Sequence, residues 1–172
     1  TRLIDALLQQ WPGYLAYFIS FVTILIMWVS HHRLFNYIKR SDDTFLFLNG
    51  LLLLFVTFVP FPTALLSEYI RSDDAHIASA IYSGTYLAVA IVFNLLWRYA
   101  SSRNRLLDKK SDPCFVAAIS RQYMFGPPLY LLAFFLSFFS VAASVGMCFV
   151  LAIFFALTGK ISRFTCDINR HT

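Results

Sequence analysis

One uncharged run, residues 45–66 (FLFLNGLLLLFVTFVPFPTALL), constrains this chain more than any other feature. At about 1.5 Å rise per residue it spans roughly 33 Å as a helix, enough to cross the hydrocarbon of a bilayer. It holds one amide, Asn49, and two prolines, Pro60 and Pro62, on either side of Phe61. Each proline removes an amide hydrogen and displaces the carbonyl four residues back, here those of Val56 and Phe58. Hydrocarbon offers such carbonyls no partner, so this part of the helix is expected to pack on protein or reach the interface.

Composition points the same way. Of 172 residues, 59% are apolar and 13% charged, far from the balance of a soluble domain. The 19 phenylalanines sit mostly inside long apolar runs. The net charge of +5 is spread between those runs rather than gathered in one patch. That distribution reads as topology signals at a membrane surface, and no nucleic-acid partner is expected. Cys114, Cys148 and Cys166 form no CxxC pair and are odd in number, so neither a disulfide framework nor a zinc site is expected.

The chain reads as one transmembrane domain over residues 1–172, with helices over about 14–30, 45–66, 77–99, 115–139 and 141–158. A single helix over residues 115–158 would measure about 66 Å, twice the bilayer, so a tight turn is placed around residues 140–144. Lys and Arg mark the sides. The connection after the first span carries Arg33, Lys39 and Arg40, and the one after the third carries Arg103, Arg105, Lys109 and Lys110, making five or six according to where Arg98 and Arg121 are placed. Lys160, Arg163 and Arg170 follow the last span, whereas the opposite side carries only Arg2 and Arg71. The bias predicts a cytoplasmic C-terminus and an extracytoplasmic N-terminal end. An outside start without a signal peptide is explained by one further helix ahead of Thr1, giving a six-helix, all-α membrane bundle of which five helices are visible.

Few residues suggest chemistry. His31 and His32 are adjacent, so their side chains diverge by about 100° on a helix and do not readily share a metal ion. One of them can face the bundle and bond a polar group while the other faces the interface. Asn49, Asn94, Thr57 and Thr85 read first as interhelical glue. No Asp, Glu or Lys lies deep in a span, and no nucleophile–base constellation or phosphate loop is present. No catalytic, cofactor or metal residues are assigned, and the chain is not expected to be an enzyme.

The segment WVSHHRLF (residues 28–35), followed by LNGLLLLFVTFVPFPTALL (residues 48–66), resembles the transmembrane protein 175 family, the endolysosomal potassium channels and their prokaryotic relatives. The resemblance is carried by Trp28, His31, His32, Phe35, Leu48, Asn49, Pro60, Phe61, Pro62, Thr63 and Leu66. With one copy of the six-helix unit, the chain is similar to the prokaryotic members, which assemble as tetramers. The resemblance implies a potassium-permeable cation leak channel in a bacterial plasma membrane, with bilayer, potassium ions and its own copies as partners. It implies a pore lined by the helix ahead of Thr1, where large apolar side chains make the constriction. It further implies that Trp28, one histidine of the pair (His32 first, His31 as the other candidate) and Asn49 support that helix, with Pro60, Phe61, Pro62 and Thr63 forming a helix-end motif. The alternative is a secondary transporter of a small solute, with the breaks at residues 60–62 and 126–128 meeting at a central site.

Overall fold

The computed structural model describes residues 3–108 and 111–171. Arg2, Lys109 and Lys110 lie outside the described residues, as do the side chains from residue 158 onward, including Lys160, Arg163, Cys166 and Arg170. Among the described residues seven α-helices follow one another: α1 (Leu3–Gln9), α2 (Trp11–Phe35), α3 (Asp43–Phe58), α4 (Pro60–Tyr69), α5 (Ala75–Ser101), α6 (Pro113–Leu136) and α7 (Val141–His171). Among the described residues, the sole strand-like pairing is an isolated antiparallel bridge between Ile38 and Leu107.

The bundle is built around α5. Its buried positions include Ala78, Ser79, Tyr82, Ser83, Tyr86, Val89, Phe93, Leu96, Trp97 and Ala100, recurring every three or four residues. Small side chains there let neighbouring backbones approach closely, as helices packing in lipid require. Helix α5 touches α3, α4, α6 and α7, while α2 lies against α4 and α7. Trp97 is fully buried, and its Nε1 donates to Ser120 Oγ on α6 at 2.8 Å.

Among the described residues, three stretches are long and apolar enough to cross a membrane: Gly13–Phe35, Asp43–Tyr69 and Ala75–Ser101. In α6, Arg121-Gln122 and Gly126-Pro127-Pro128 dilute the hydropathy, and α7 is apolar over Val141–Leu157. Only 17% of the apolar window of the second stretch and 22% of the first are buried, against 56% for α5. Helices α2, α3 and α4 therefore turn most of their apolar surface outward.

Several boundaries differ from the sequence reading. Helix α2 runs on through the histidine pair to Phe35, because residues 31–35 keep an apolar face: Leu34 is 1% exposed. The last turn comes at residues 137–140, earlier than 140–144. Ser137 closes α6, its N–H donating to Phe134 O while Phe138 N donates to Phe135 O, and Ser140 Oγ accepts from Ala143 N at the start of α7. Ser144 is thereby inside α7, where its buried hydroxyl donates to Ala133 O across the helix pair at 2.8 Å. The cysteine reading is also corrected: Cys114 is disulfide-bonded, while Cys148 is free and buried.

The two ends of the bundle differ. At the end where α2 stops and α3 begins, the loop of residues 36–42 pairs with the loop after α5. Lys39 N donates to Leu106 O at 2.9 Å, and Asp108 N donates to Tyr37 O at 3.0 Å. Arg103, in the left-handed region at φ 55°, turns the chain away from α5. Asp42 caps α3 by accepting from Phe45 N at 2.9 Å and also accepts from Tyr99 OH at 2.7 Å. Arg105 lies over the Tyr99 ring at 5.0 Å. At the opposite end, His76 on α5 is bonded through Nδ1 to Ser137 O at 2.7 Å, joining the loop before α5 to the α6–α7 turn.

Candidate functional site

Phe45, 1% exposed, packs 5.4 Å from the Phe35 ring, which in turn lies 4.2 Å from the His31 ring. This aromatic ladder fixes the last turns of α2 against the start of α3. It aims His31 Nε2 at Asn49 Oδ1, 2.7 Å away. An amide oxygen only accepts, so Nε2 carries the proton and His31 donates. The bond joins two helices at a half-buried level where water competes poorly.

His32 points elsewhere. It stacks on Trp28 with ring centroids 5.6 Å apart and planes 16° from parallel. Trp28 is 60% exposed, and Phe21 and Leu25 continue the same outward face along α2. The structure thus joins Asn49 to His31, not His32. Rotation by about 100° per residue on α2 separates the two rings into an inward donor and an outward stack. Trp28, His31, His32 and Asn49 still gather at one junction of α2 and α3.

The motif at residues 60–63 is not at the end of its span. Helix α3 stops at Phe58 and α4 starts at Pro60, so the motif sits inside the continuous stretch Asp43–Tyr69. Val59 keeps helical backbone (φ −49°, ψ −41°), which carries the span across the break. Pro60 has no N–H for Val56 O, and Val59 N donates to that carbonyl instead at 3.3 Å. Thr63 Oγ1 donates to Val59 O at 2.8 Å, and Pro62 and Thr63 are buried while Phe61 is 58% exposed against Phe58. The paired prolines thus stand at a helix boundary, as the sequence suggests, but a 3₁₀-type bond from Val59 N and the helical backbone of Val59 keep the apolar stretch running through it.

The second proline pair behaves alike. Pro127 and Pro128 lie inside α6, and Pro127 frees the carbonyl of Tyr123. Asn94 Nδ2 on α5 donates to that carbonyl at 2.8 Å. Sequence reading placed Asn94 only as general glue. The signal was present, since a proline at position 127 names the carbonyl at position 123 that needs a donor. Thr57 and Thr85 bond carbonyls within their own helices, at Leu53 O and Ile81 O. Among the described residues, no group of three or more His, Cys, Asp or Glu is placed to hold a metal ion.

The profile described as endosomal/lysosomal potassium channel TMEM175 matches residues 1–60, the part that holds the α2–α3 junction. A potassium channel of Chamaesiphon minutus is 57% identical over 155 residues, covering 90% of this chain and 76% of that protein. The chain belongs to the TMEM175 family. A potassium channel of Streptomyces collinus is 40% identical, covering 87% of this chain and 73% of its own length. The crystal structure of a lysosomal potassium-selective TMEM175 homolog from Chamaesiphon minutus superimposes with a TM-score of 0.77 at 54% identity. It covers 91% of this chain and 79% of that one. The fold is therefore that of a multi-pass, all-α TMEM175 channel, and the family is one of ion channels, not enzymes.

Proposed function

We propose that this chain is a potassium-permeable cation leak channel, assembled as a homotetramer in a bacterial plasma membrane. The observation that carries the reading is the His31–Asn49 bond, set beside the exposed Trp28–His32 stack on the α2–α3 surface of a TMEM175-family chain. A helix upstream of Thr1, supplying a hydrophobic constriction, packs on that surface. Such a helix would cover Phe21, Leu25 and Trp28, all exposed here, and would meet polar groups already oriented by His31 and Asn49. The outward apolar surface of α3 and α4 then serves packing between copies and toward lipid. Potassium is the permeant ion, and no cofactor is invoked.

The transporter alternative loses its motive at the breaks. Val59 N and Asn94 occupy the carbonyls freed by Pro60 and Pro127, and among the described residues no ionisable side chain bonds either one. The deciding experiment places the full-length protein in planar bilayers under a potassium gradient opposed by sodium. Discrete openings that reverse toward the potassium equilibrium potential are expected. Flux that requires a second solute would overturn the channel reading. His31→Ala and Asn49→Ala are expected to change opening or tetramer content more than ion preference. Each interhelical contact in lipid contributes about 0.6–2 kcal/mol, enough to shift a helix position without remaking a pore. Unchanged currents and assembly in both variants would count against the support role.

A further inference from the structure

Between α2, α5, α6 and α7 lies a partly open crevice of about 70 Å³, bordered by Ile26, Met27, Val89, Ala90, Phe93 and Phe155. Its lining is almost wholly apolar. A second space of about 30 Å³ shares Ser30, Tyr123 and Phe155 with it and adds Arg33 and Gln122. The two therefore adjoin. Thr23 in the first and Arg33 in the second stand ten residues apart on α2, about 15 Å along its axis. Together they extend from mid-bundle to the basic end.

The chemistry of the lining selects an occupant. The inner part is roomy enough for several waters, but waters there would lack the two to four polar partners each needs. Hydrocarbon fits it. At the outer part, Arg33 Nη1 donates to the backbone oxygen of Ala156 at 2.9 Å, and Gln122 Nε2 donates to Phe155 O at 3.3 Å. The Arg33 guanidinium has five N–H donors, and a bond to one neutral carbonyl leaves its charge uncompensated by that contact. Arginine at the rim of an apolar slot in a membrane matches a phosphate above an acyl chain.

We propose that this crevice binds an anionic phospholipid of the bilayer, its phosphate on Arg33 and one acyl chain lying between α2 and α6–α7. The site is separate from the α2–α3 junction: Thr23, Ile26, Met27, Ser30 and Arg33 line the opposite flank of α2 from Trp28 and His32. An occupying lipid ties α2 to α6 and α7.

Native mass spectrometry of the full-length protein with added phosphatidylglycerol or phosphatidylcholine tests this. Phosphatidylglycerol should be retained through detergent exchange about tenfold more tightly than phosphatidylcholine, a difference of about 1.4 kcal/mol. Arg33→Gln should abolish that preference and Arg33→Lys should keep most of it, since a phosphate also accepts a point charge. Gly126→Ala gives a check that does not depend on Arg33. Its added Cβ would meet Phe155 Cζ at 3.6 Å and Ala90 Cβ at 3.8 Å, ordinary contacts that preserve the fold while narrowing the slot. It should weaken retention of phosphatidylglycerol. Equal retention of the two lipids by the unsubstituted protein, or undiminished phosphatidylglycerol in both Arg33→Gln and Gly126→Ala, would overturn the proposal.

Discussion

At the residue scale, the clearest cause and effect is the pairing of Pro127 with Asn94. A helix that keeps a proline in hydrocarbon must find a donor for the carbonyl one turn back, and Asn94 Nδ2 reaches Tyr123 O at 2.8 Å. Asn94→Ala should destabilise the protein by about 1–2 kcal/mol, the cost of leaving a part-buried acceptor without its donor. Pro127→Ala restores a backbone N–H able to bond Tyr123 O. In that background the Asn94→Ala cost should shrink by at least half. A double-mutant cycle followed by unfolding in mixed micelles reads the coupling, and additive effects would mean that Asn94 acts through something else. Asp42 makes a second residue-scale case. The N–H of Phe45, foremost, and the Tyr99 hydroxyl hold its carboxyl below the usual carboxylate value. A group depressed in the folded state stabilises it above the unfolded pKa, near 3.9, and that contribution disappears as pH falls through the lower folded value. Acid should therefore loosen the junction between the loop before α3 and the end of α5 at about pH 4 and below. Tyr99→Phe should move the loss to higher pH, and Asp42→Asn should remove that part of the pH dependence. An acid profile identical in all three proteins would exclude Asp42 as its source.

At the scale of elements, what the sequence disclosed depended on how local the cause was. Apolar runs marked the helices because hydrocarbon length is a property of consecutive residues; α5 and the stretch Asp43–Tyr69 were plain for that reason. Helix ends were less plain. Polar residues at the end of α2 read as a loop, yet Leu34 and Phe35 pack inward and carry the helix on to residue 35. Pro60 does stand at the start of a helix, whereas Pro127 and Pro128 lie inside α6, where the compensating donor, Asn94, is set by geometry across a helix pair. The same limit applied at the candidate site. Adjacent histidines must diverge on a helix, but which one turns inward depends on how α2 is rotated about its axis. The Phe35–Phe45 contact settles that rotation in favour of His31. Arg33 read only as a topology charge, because the crevice it borders is formed by helices far apart in the chain.

For the whole molecule, the two ends carry the orientation. The loops of residues 36–42 and 102–108 are bound to each other, so Lys39, Arg40, Arg103 and Arg105 lie on one side of the bundle. Arg33 reaches Ala156 on α7, which places the far part of α7 at that same end. His76 and Ser137 join the other two connections at the opposite end, where Arg71 stands beside Asp73 and Asp74. Positive charge is retained on the cytoplasmic face during insertion, so the end bearing Lys39, Arg40 and Arg105 should face the cytoplasm. Labelling by a membrane-impermeant maleimide, relative to the unsubstituted chain, decides the matter. Ser72→Cys should react in intact cells and Lys39→Cys only after permeabilisation, because Ser72 and Lys39 are both exposed and stand at opposite ends. The reverse pattern would invert the bundle and place the Arg33 rim of the crevice in the outer leaflet. It would leave the His31–Asn49 contact intact, so the orientation of the bundle and the α2–α3 junction are separable properties of this fold.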